Sequence, residues 1–327
     1  MLIHTSLPSA LKAALERILH GLSRKDIATR ATAISENYRS GGNSAIIRDA
    51  SDALAYALAR MPATYAADTT CLQETADRRP HSAPTSLLDV GAGPGTATWA
   101  AAEVFPALTS FVQIDSNTAL RALALELVLG NERFTELRHA TGDVRKGLAA
   151  TTNADLVVAS YVLGELAESE RVGVIDALWA RTRDILLVVE PGTPAGYTRI
   201  MELRRQLIAA GARVIAPCPH DYACPLSSPD WCHFSQRLAR SRDHKQMKGA
   251  ELPFEDEKFA YVALARTAAA HRPPARVLSQ PVVTKVDVTA KLCEAHGGVT
   301  LSKTPRRDKD AYSRAKRWRW GDVVADH

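Results

Sequence analysis

The sequence predicts an α/β protein: a doubly wound, mostly parallel sheet, a helical N-terminal region before it, then a cysteine-rich segment and a small β-rich C-terminal unit. Three observations predict this. Between Ser86 and Val189, short apolar runs alternate with segments of helical periodicity, the rhythm of βαβ units. The first run, Leu87-Leu88-Asp89-Val90, enters Gly91-Ala92-Gly93-Pro94-Gly95-Thr96, a turn tight enough to need glycine at alternate positions before a helix begins. Beyond about residue 210 the rhythm breaks, cysteines cluster, and β-branched residues alternate.

The 327 residues suffice for two modest domains or one α/β domain with additions. No run of about 18 apolar residues occurs, so no transmembrane helix is expected. Met1 to Leu15 has no basic stretch followed by an apolar core and a small-residue cleavage site, so the expectation is a soluble intracellular protein. Charge is unevenly spread: residues 1–195 hold 18 Lys/Arg against 22 Asp/Glu, and residues 196–327 hold 23 against 14. The basic surplus belongs to the C-terminal part, which fits either a polyanionic partner or a solvated surface.

In chain order, Leu7, Leu11, Leu15, Ile18, Leu19 and Leu22 mark a first helix. Ser23 is placed to cap a second, with Ile27, Ala31 and Ile34 inward, and Tyr38 to Asn43 reads as a stop. A third helix is expected from Ser44 through Arg60, ended by Pro62. Ala63 to Pro84, rich in Thr, Asp, Arg and Pro, reads as a linker, and Cys71 within it as a free surface thiol. Strands follow at Leu87–Val90, Ser110–Ile114, Phe134–His139, Ala154–Ser160 and Ile185–Val189, with helices over Thr96–Phe105, Thr118–Gly130, Glu168–Arg181 and Gly196–Ala210. Phe259–Arg266 resembles a sixth strand, and Val282 to Leu301, interrupted by Gly297-Gly298, reads as a hairpin. The expected boundaries are a helical region over 1–80, the sheet domain over 81–215, a cysteine insertion over 216–258, and the last strands with a basic β unit over 259–327.

The G-x-G-x-G spacing, with Asp89 two residues ahead, resembles motif I of class I S-adenosylmethionine (SAM) methyltransferases. In that register Asp89, Gly91, Gly93 and Gly95 line the methionine portion of SAM. Asp115, ending the second strand, accepts from the ribose hydroxyls, and Asp143 faces the adenine amine. Asp115 and Asp143 are equally suited to capping the helices after them. An NAD-type dehydrogenase is the competing class; the glycine spacing and the helical extension ahead of the motif argue against it. No catalytic group stands out. The fourth strand ends in Ser160-Tyr161-Val162-Leu163-Gly164-Glu165, without the Asn/Asp-Pro-Pro-aromatic element that commonly holds a target amine. Tyr161 and Glu165 are candidates for the pocket mouth, with a structural role favoured. Pro217-Cys218 matches only superficially the context of a pyrimidine-attacking cysteine.

Cys218, Cys224 and Cys232 lie within fifteen residues, among prolines, in a loop suited to wrapping a metal. There is no C-x-x-C pair, so the common zinc-ribbon spacing does not fit. Cys293 is the natural fourth ligand, His220 and His233 are alternatives, and the spacing leaves zinc and [4Fe-4S] open.

Over most of its length the chain resembles the ribosomal small-subunit-associated methyltransferase-like family. The resemblance rests on Arg30-Ala31, Ile34-Ser35, Tyr38-Arg39, the glycine turn and Glu190-Pro191-Gly192-Thr193-Pro194. It rests further on Ala216 to Leu226, on Trp231-Cys232-His233-Phe234-Ser235-Gln236-Arg237, and on Glu255-Asp256-Glu257-Lys258-Phe259 with Tyr261. It implies a class I fold binding SAM, a [4Fe-4S] cluster on Cys218, Cys224, Cys232 and Cys293, and binding to small-subunit rRNA. The role implied is rRNA methylation or, without catalysis, subunit assembly. The protein is then expected to be monomeric and membrane-free, cytoplasmic in a bacterium or mitochondrial in a eukaryote. Near the C-terminus Lys303, Arg306, Arg307, Lys309, Arg314, Lys316, Arg317 and Arg319 interleave with Tyr312, Trp318 and Trp320. Such a pattern can neutralise phosphates and stack on bases, or it is a basic face over inward-packed rings. Arg240, Arg242, Lys245 and Lys248 would extend that surface beside the cysteines.

Overall fold

The structure is a computed structural model and describes residues 5–140, 142–240 and 252–324. Its N-terminal helices are α1 (Ser9–Leu19), α2 (Arg24–Arg39) and α3 (Ala50–Arg78). Ser23 caps α2 by accepting from Asp26 N. A 3-10 turn at Ser44–Ile46 precedes α3, whose cap is Asp49, accepting from Asp52 N. The third helix therefore starts later than expected and does not stop at Pro62.

Helix α3 continues for 29 residues, so the stretch read as a linker is mostly helix, and Cys71 is fully buried instead of exposed. A helix-interior proline costs about 3 kcal/mol. Fully burying a large apolar side chain returns ~1.5–3 kcal/mol, and Leu54, Met61, Tyr65 and Leu72 are all fully buried along α3. Of the polar residues that suggested a loop, Thr75 Oγ1 donates to Cys71 O at 2.7 Å and Asp68 Oδ1 accepts from Ser160, while Asp68 Oδ2 and Thr69 Oγ1 are buried without a partner among the described residues.

The main sheet is built from β1 (Ser86–Val90), β2 (Ser110–Ile114), β3 (Leu137–Ala140), β4 (Ala154–Ser160), β5 (Thr182–Pro191), β6 (Arg213–Ala216), β7 (Phe234–Ala239) and β8 (Phe254–Ala265). Between them run α4 (Thr96–Val104), α5 (Thr118–Val128), α6 (Val144–Ala150), α7 (Glu168–Arg181) and α8 (Pro194–Ala209). The order is β3-β2-β1-β4-β5-β8-β6, with β1 to β5 parallel and β8 antiparallel to its neighbours. This is the class I methyltransferase sheet. Successive residues of its central strands alternate between two cores. Leu87, Leu156, Val158 and Leu187 face α1 to α5, whereas Leu88, Val157, Leu186 and Val188 face α6 to α8.

Strand β8 is longer than the stretch expected, and β6 and β7 were not anticipated. On the edge of β8 away from β5, β7 pairs with Phe254–Phe259 and β6 with its last residues. Phe134 is not in β3; it closes a 3-10 turn and packs its ring against Trp99 at 4.6 Å and Phe111 at 5.2 Å. A second sheet joins β9 (Ala275–Val277), β10 (Val282–Val283), β11 (Asp287–Glu294), β12 (Val299–Pro305) and β13 (Val323–Val324). The expected hairpin is β11–β12, with Cys293 paired to Val299 across it. Among the described residues no helix is long and apolar enough to cross a membrane.

Candidate functional site

The sheet order reverses between β1 and β4, and at that point loops part to leave a crevice at the strand C-termini. There the structure forms a cavity of ≈ 650 Å³. Gly91 adopts φ +69, and a Cβ there would lie 1.7 Å from Val162 Cγ2. Gly95 opens α4 at φ +83, where a Cβ would meet Gln113 Nε2 at 2.7 Å. The backbone can run so close to its neighbours only without side chains.

Of the residues singled out from the sequence, Asp89, Gly91, Gly93, Asp115 and Asp143 line the cavity; Gly95 sits behind it as the cap position of α4. Asp89 is buried and its Oδ2 accepts from Thr98 N at 3.0 Å and Thr98 Oγ1 at 2.7 Å. Burial pushes this carboxyl up to about 7. Asp115 accepts from Gly93 N and from Asn117 N, each at 2.7 Å, tying the glycine turn to the end of β2; burial raises it too. The cap of α5 is Asn117, whose Oδ1 accepts from Ala119 N and Leu120 N. Asp143 does cap α6, accepting from Lys146 N at 2.9 Å, and this bond holds its carboxyl below the usual range.

Several lining residues escaped the sequence reading because they arrive from the N-terminal helices. Tyr38 Oη donates to Glu165 Oε1 at 3.2 Å and Ser44 Oγ to Glu165 Oε2 at 2.8 Å. Asn117 Nδ2 donates to the carbonyls of Ser44 and Ile47 at 3.0 and 2.9 Å. The N-terminal region thus covers one side of the cavity. Asp68 of α3 reaches another side. Among the described residues the lining carries five carboxyl side chains, Asp68, Asp89, Asp115, Asp143 and Glu165, against a single guanidinium, Arg48. Such a wall favours a cationic ligand and disfavours a pyrophosphate.

A second pocket is lined by Cys218, Cys224, Cys232 and Cys293 together. Cys218 follows β6 and Cys232 precedes β7, so the loop between these two β8 partners delivers both; Cys293 comes from β11 of the second sheet. Burial pushes the Cys218 and Cys232 thiols up and Cys293 to about 12, against the pull of the nearby Arg204 and Arg276. Tyr197 Oη lies 3.2 Å from Cys224 Sγ, and His220 Nε2 lies 3.4 Å from Cys293 Sγ. Among the described residues the buried Nε atoms of Arg204 and Arg276 and Nδ1 of His220 have no partner. Four soft donors beside buried cationic groups suit a metal centre that carries negative charge. Among the described residues no three His, Cys, Asp or Glu gather as one ion would need; the thiols border a shared space instead of converging. His233 points elsewhere, stacked on Trp231 at 5.0 Å and edge-on to Trp320 at 4.7 Å.

The basic C-terminal residues divide. Lys303 pairs with Asp287 at 3.1 Å, and Arg240 pairs with Glu255. Arg242, Lys245 and Lys248 lie outside the described residues. Arg306, Arg307, Lys309, Lys316, Arg317 and Arg319 are exposed around the helix Lys309–Ala315. The aromatics turn inward: Trp320 Nε1 donates to His233 O at 2.9 Å, Tyr312 Oη to Thr284 O at 2.8 Å, and Trp318 packs on the second sheet's core. This is the basic face over packed rings, not a set of free stacking platforms.

Residues 50–325 match the family described as mitochondrial small ribosomal subunit Rsm22, and the chain belongs to it. It is 30% identical to the human mitochondrial ribosome assembly protein METTL17, over 83% of this chain and 62% of that protein. It is 24% identical to the Rsm22-cox11 tandem protein 2 of Schizosaccharomyces pombe, also mitochondrial, over 72% of this chain and 38% of that one. The chain thus spans less than two thirds of either relative. Among solved structures it is similar to magnesium protoporphyrin IX methyltransferase of Synechocystis with bound SAM, at 13% identity and TM-score 0.40, covering 76% of this chain and 99% of that one. It is also similar to precorrin-6y C5,15-methyltransferase of Geobacter metallireducens, at 14% identity and TM-score 0.39, covering 58% and 84%.

Proposed function

We propose that this protein binds SAM in the glycine-turn cavity and a [4Fe-4S] cluster on Cys218, Cys224, Cys232 and Cys293, and that it acts on small-subunit rRNA during ribosome assembly, as a methyltransferase. The observation that carries the reading is the acidic cavity at the switch point of a class I sheet, with Asp89, Gly91, Gly93, Asp115 and Asp143 on its wall and Gly95 shaping the turn. A sulfonium and an α-ammonium give SAM positive charge at its methionine end, which five carboxyl groups suit and a dinucleotide's pyrophosphate would not. Membership of a family described as small ribosomal subunit, and the ribosome assembly role in the human relative's name, support the partner. The exposed basic residues around Lys309–Ala315 supply phosphate contacts.

The cysteine pocket supports the metal reading by bringing Cys218, Cys224, Cys232 and Cys293 to the lining of one space, and the family resemblance is what favours a cluster over zinc. When bound, the cluster would supply a cross-link between the loop after β6 and the second sheet. Around it Tyr197 Oη and His220 Nε2 are within reach of ligand sulfurs, and Arg204 and Arg276 balance thiolate charge.

A second reading, assembly without catalysis, is favoured by the end of β4, where Tyr161-Val162-Leu163 offers no amine-holding element. Purified full-length protein incubated with methyl-labelled SAM and immature small subunits separates the two. Label in rRNA supports the methyltransferase; tight subunit binding with no label transfer leaves the assembly factor. An anaerobic preparation carrying zinc and no iron or sulfide would remove the cluster from the account.

A further inference from the structure

We propose that Asp68, together with Ser160, forms an acceptor subsite in this cavity, receiving the exocyclic amine of a nucleobase and taking the proton that the amine loses on methylation. The inference rests on the reading of the cavity as a methyl-donor site. Helix α3 passes along the cavity and presents Thr64 and Asp68 to it from one face. Asp68 is fully buried. Its Oδ1 accepts from Ser160 Oγ at 2.6 Å, whereas its Oδ2 is buried without a partner among the described residues. A buried acceptor left unmade costs ~1–3 kcal/mol, and such an atom in a residue that lines a cavity is accounted for when a ligand brings the donor.

The neighbours leave this role to Asp68. Tyr161, in the left-handed region at φ 58, donates its hydroxyl to Glu257 Oε1 at 2.9 Å, so Glu257 has its partner. Asp89 Oδ2 is held twice by Thr98, and both oxygens of Asp115 accept backbone N–H groups. Ser160 ends β4, whose residue Ala159 pairs with Val90 just ahead of the glycine turn. The unpartnered oxygen is therefore next to the strand end from which amine-methylating enzymes commonly present their acceptor-holding element. Here a carboxylate from a helix 92 residues away in sequence stands in for it.

The step balances with a methyl sulfonium as donor. The amine nitrogen's lone pair takes the methyl carbon, the carbon–sulfur bond breaks with its electron pair left on sulfur as a thioether, and the displaced N–H proton passes to Asp68 Oδ2. Burial, with Asp89 and Glu257 nearby, raises the Asp68 carboxyl, which makes it a better proton acceptor than an exposed aspartate.

The test uses full-length protein saturated with S-adenosylhomocysteine and calorimetric titration of CMP against UMP and of AMP against IMP, pairs that differ in amine versus carbonyl. The expected result is a preference of at least about fivefold for the amine member of one pair, equivalent to ~1 kcal/mol. Asp68→Asn should abolish it with S-adenosylhomocysteine affinity unchanged within about twofold, and Ser160→Ala, which keeps the carboxylate, should weaken it. A parent without amine preference, or an Asp68→Asn protein that keeps it, overturns the proposal. Should Asp68→Asn not fold, an amine preference undiminished in Ser160→Ala overturns it instead. A parent that binds no S-adenosylhomocysteine sinks the methyl-donor reading, and this subsite with it.

Discussion

The glycine-turn cavity and the cysteine pocket are built on different principles. The cavity's floor comes from one strand, one turn and the strand ends beside it, so the geometry of that floor is local backbone even though its sides come from elsewhere. The cysteine pocket draws one thiol after β6, one from mid-loop, one before β7 and one from β11 of another sheet, so its geometry exists only when two sheets are in place. A site made by local backbone is damaged by steric change at single positions. A site made by distant side chains is damaged by losing any one of them.

The largest expected effect breaks the second site. Cys293→Ser should abolish most iron binding and cost roughly 3–5 kcal/mol or more of stability in the second sheet, as for loss of a structural metal. SAM affinity should stay within about threefold. Iron analysis, hydrogen exchange and calorimetry read these together, and equal damage to both sites would mean they are one unit.

The pH dependence of the apo protein comes next. Asp89 titrates near 7 when folded and near 3.8 otherwise. Between those values the folded chain keeps a proton that the unfolded chain has released, so stability falls as pH rises through the window, by up to ~1.4 kcal/mol per unit. Asp89→Asn should flatten this part of a stability–pH profile measured by denaturant melts; an unchanged profile would remove Asp89 as its source.

Gly91→Ala tests the turn itself. The new Cβ meets Val162 and holds a strained φ, at a cost of ~1–3 kcal/mol. SAM binding should weaken by about tenfold or more while iron content is unchanged. The smallest effect is at the cover. Glu165→Gln weakens acceptance from Tyr38 and Ser44, so the segment around Ser44–Ile46 should exchange amide hydrogens faster, with ~1 kcal/mol lost from SAM binding.

Much of the cavity was legible in the sequence. The C-terminal ends of the strands at Val90, Ile114 and Ser160 are legible to the residue, because buried parallel strands are apolar runs with sharp ends. The misreading of 63–84 had a physical cause. Threonines, an aspartate and a proline carry turn propensity, and nothing local reveals that Asp68, Thr69 and Thr75 are buried in a core, where Thr75 donates to Cys71 O and Asp68 accepts from Ser160. The same error hid Asp68 and turned Cys71 into a surface thiol. Likewise Trp318 and Trp320 sit in a basic run, and only their neighbours in the second sheet and at His233 decide that they pack inward.

The sequence by itself determined the class I strand–turn–helix at Leu87–Thr96 and the set of cysteines available to a metal, since glycine spacing and thiol chemistry are properties of short stretches. Only the tertiary structure decided that β6 and β7 share one edge of β8, that Cys293 joins the other three cysteines, and that α3 brings a buried carboxylate against Ser160. Those are contacts between residues 15 to 92 positions apart. They are fixed by how apolar faces pack, and no local propensity encodes them.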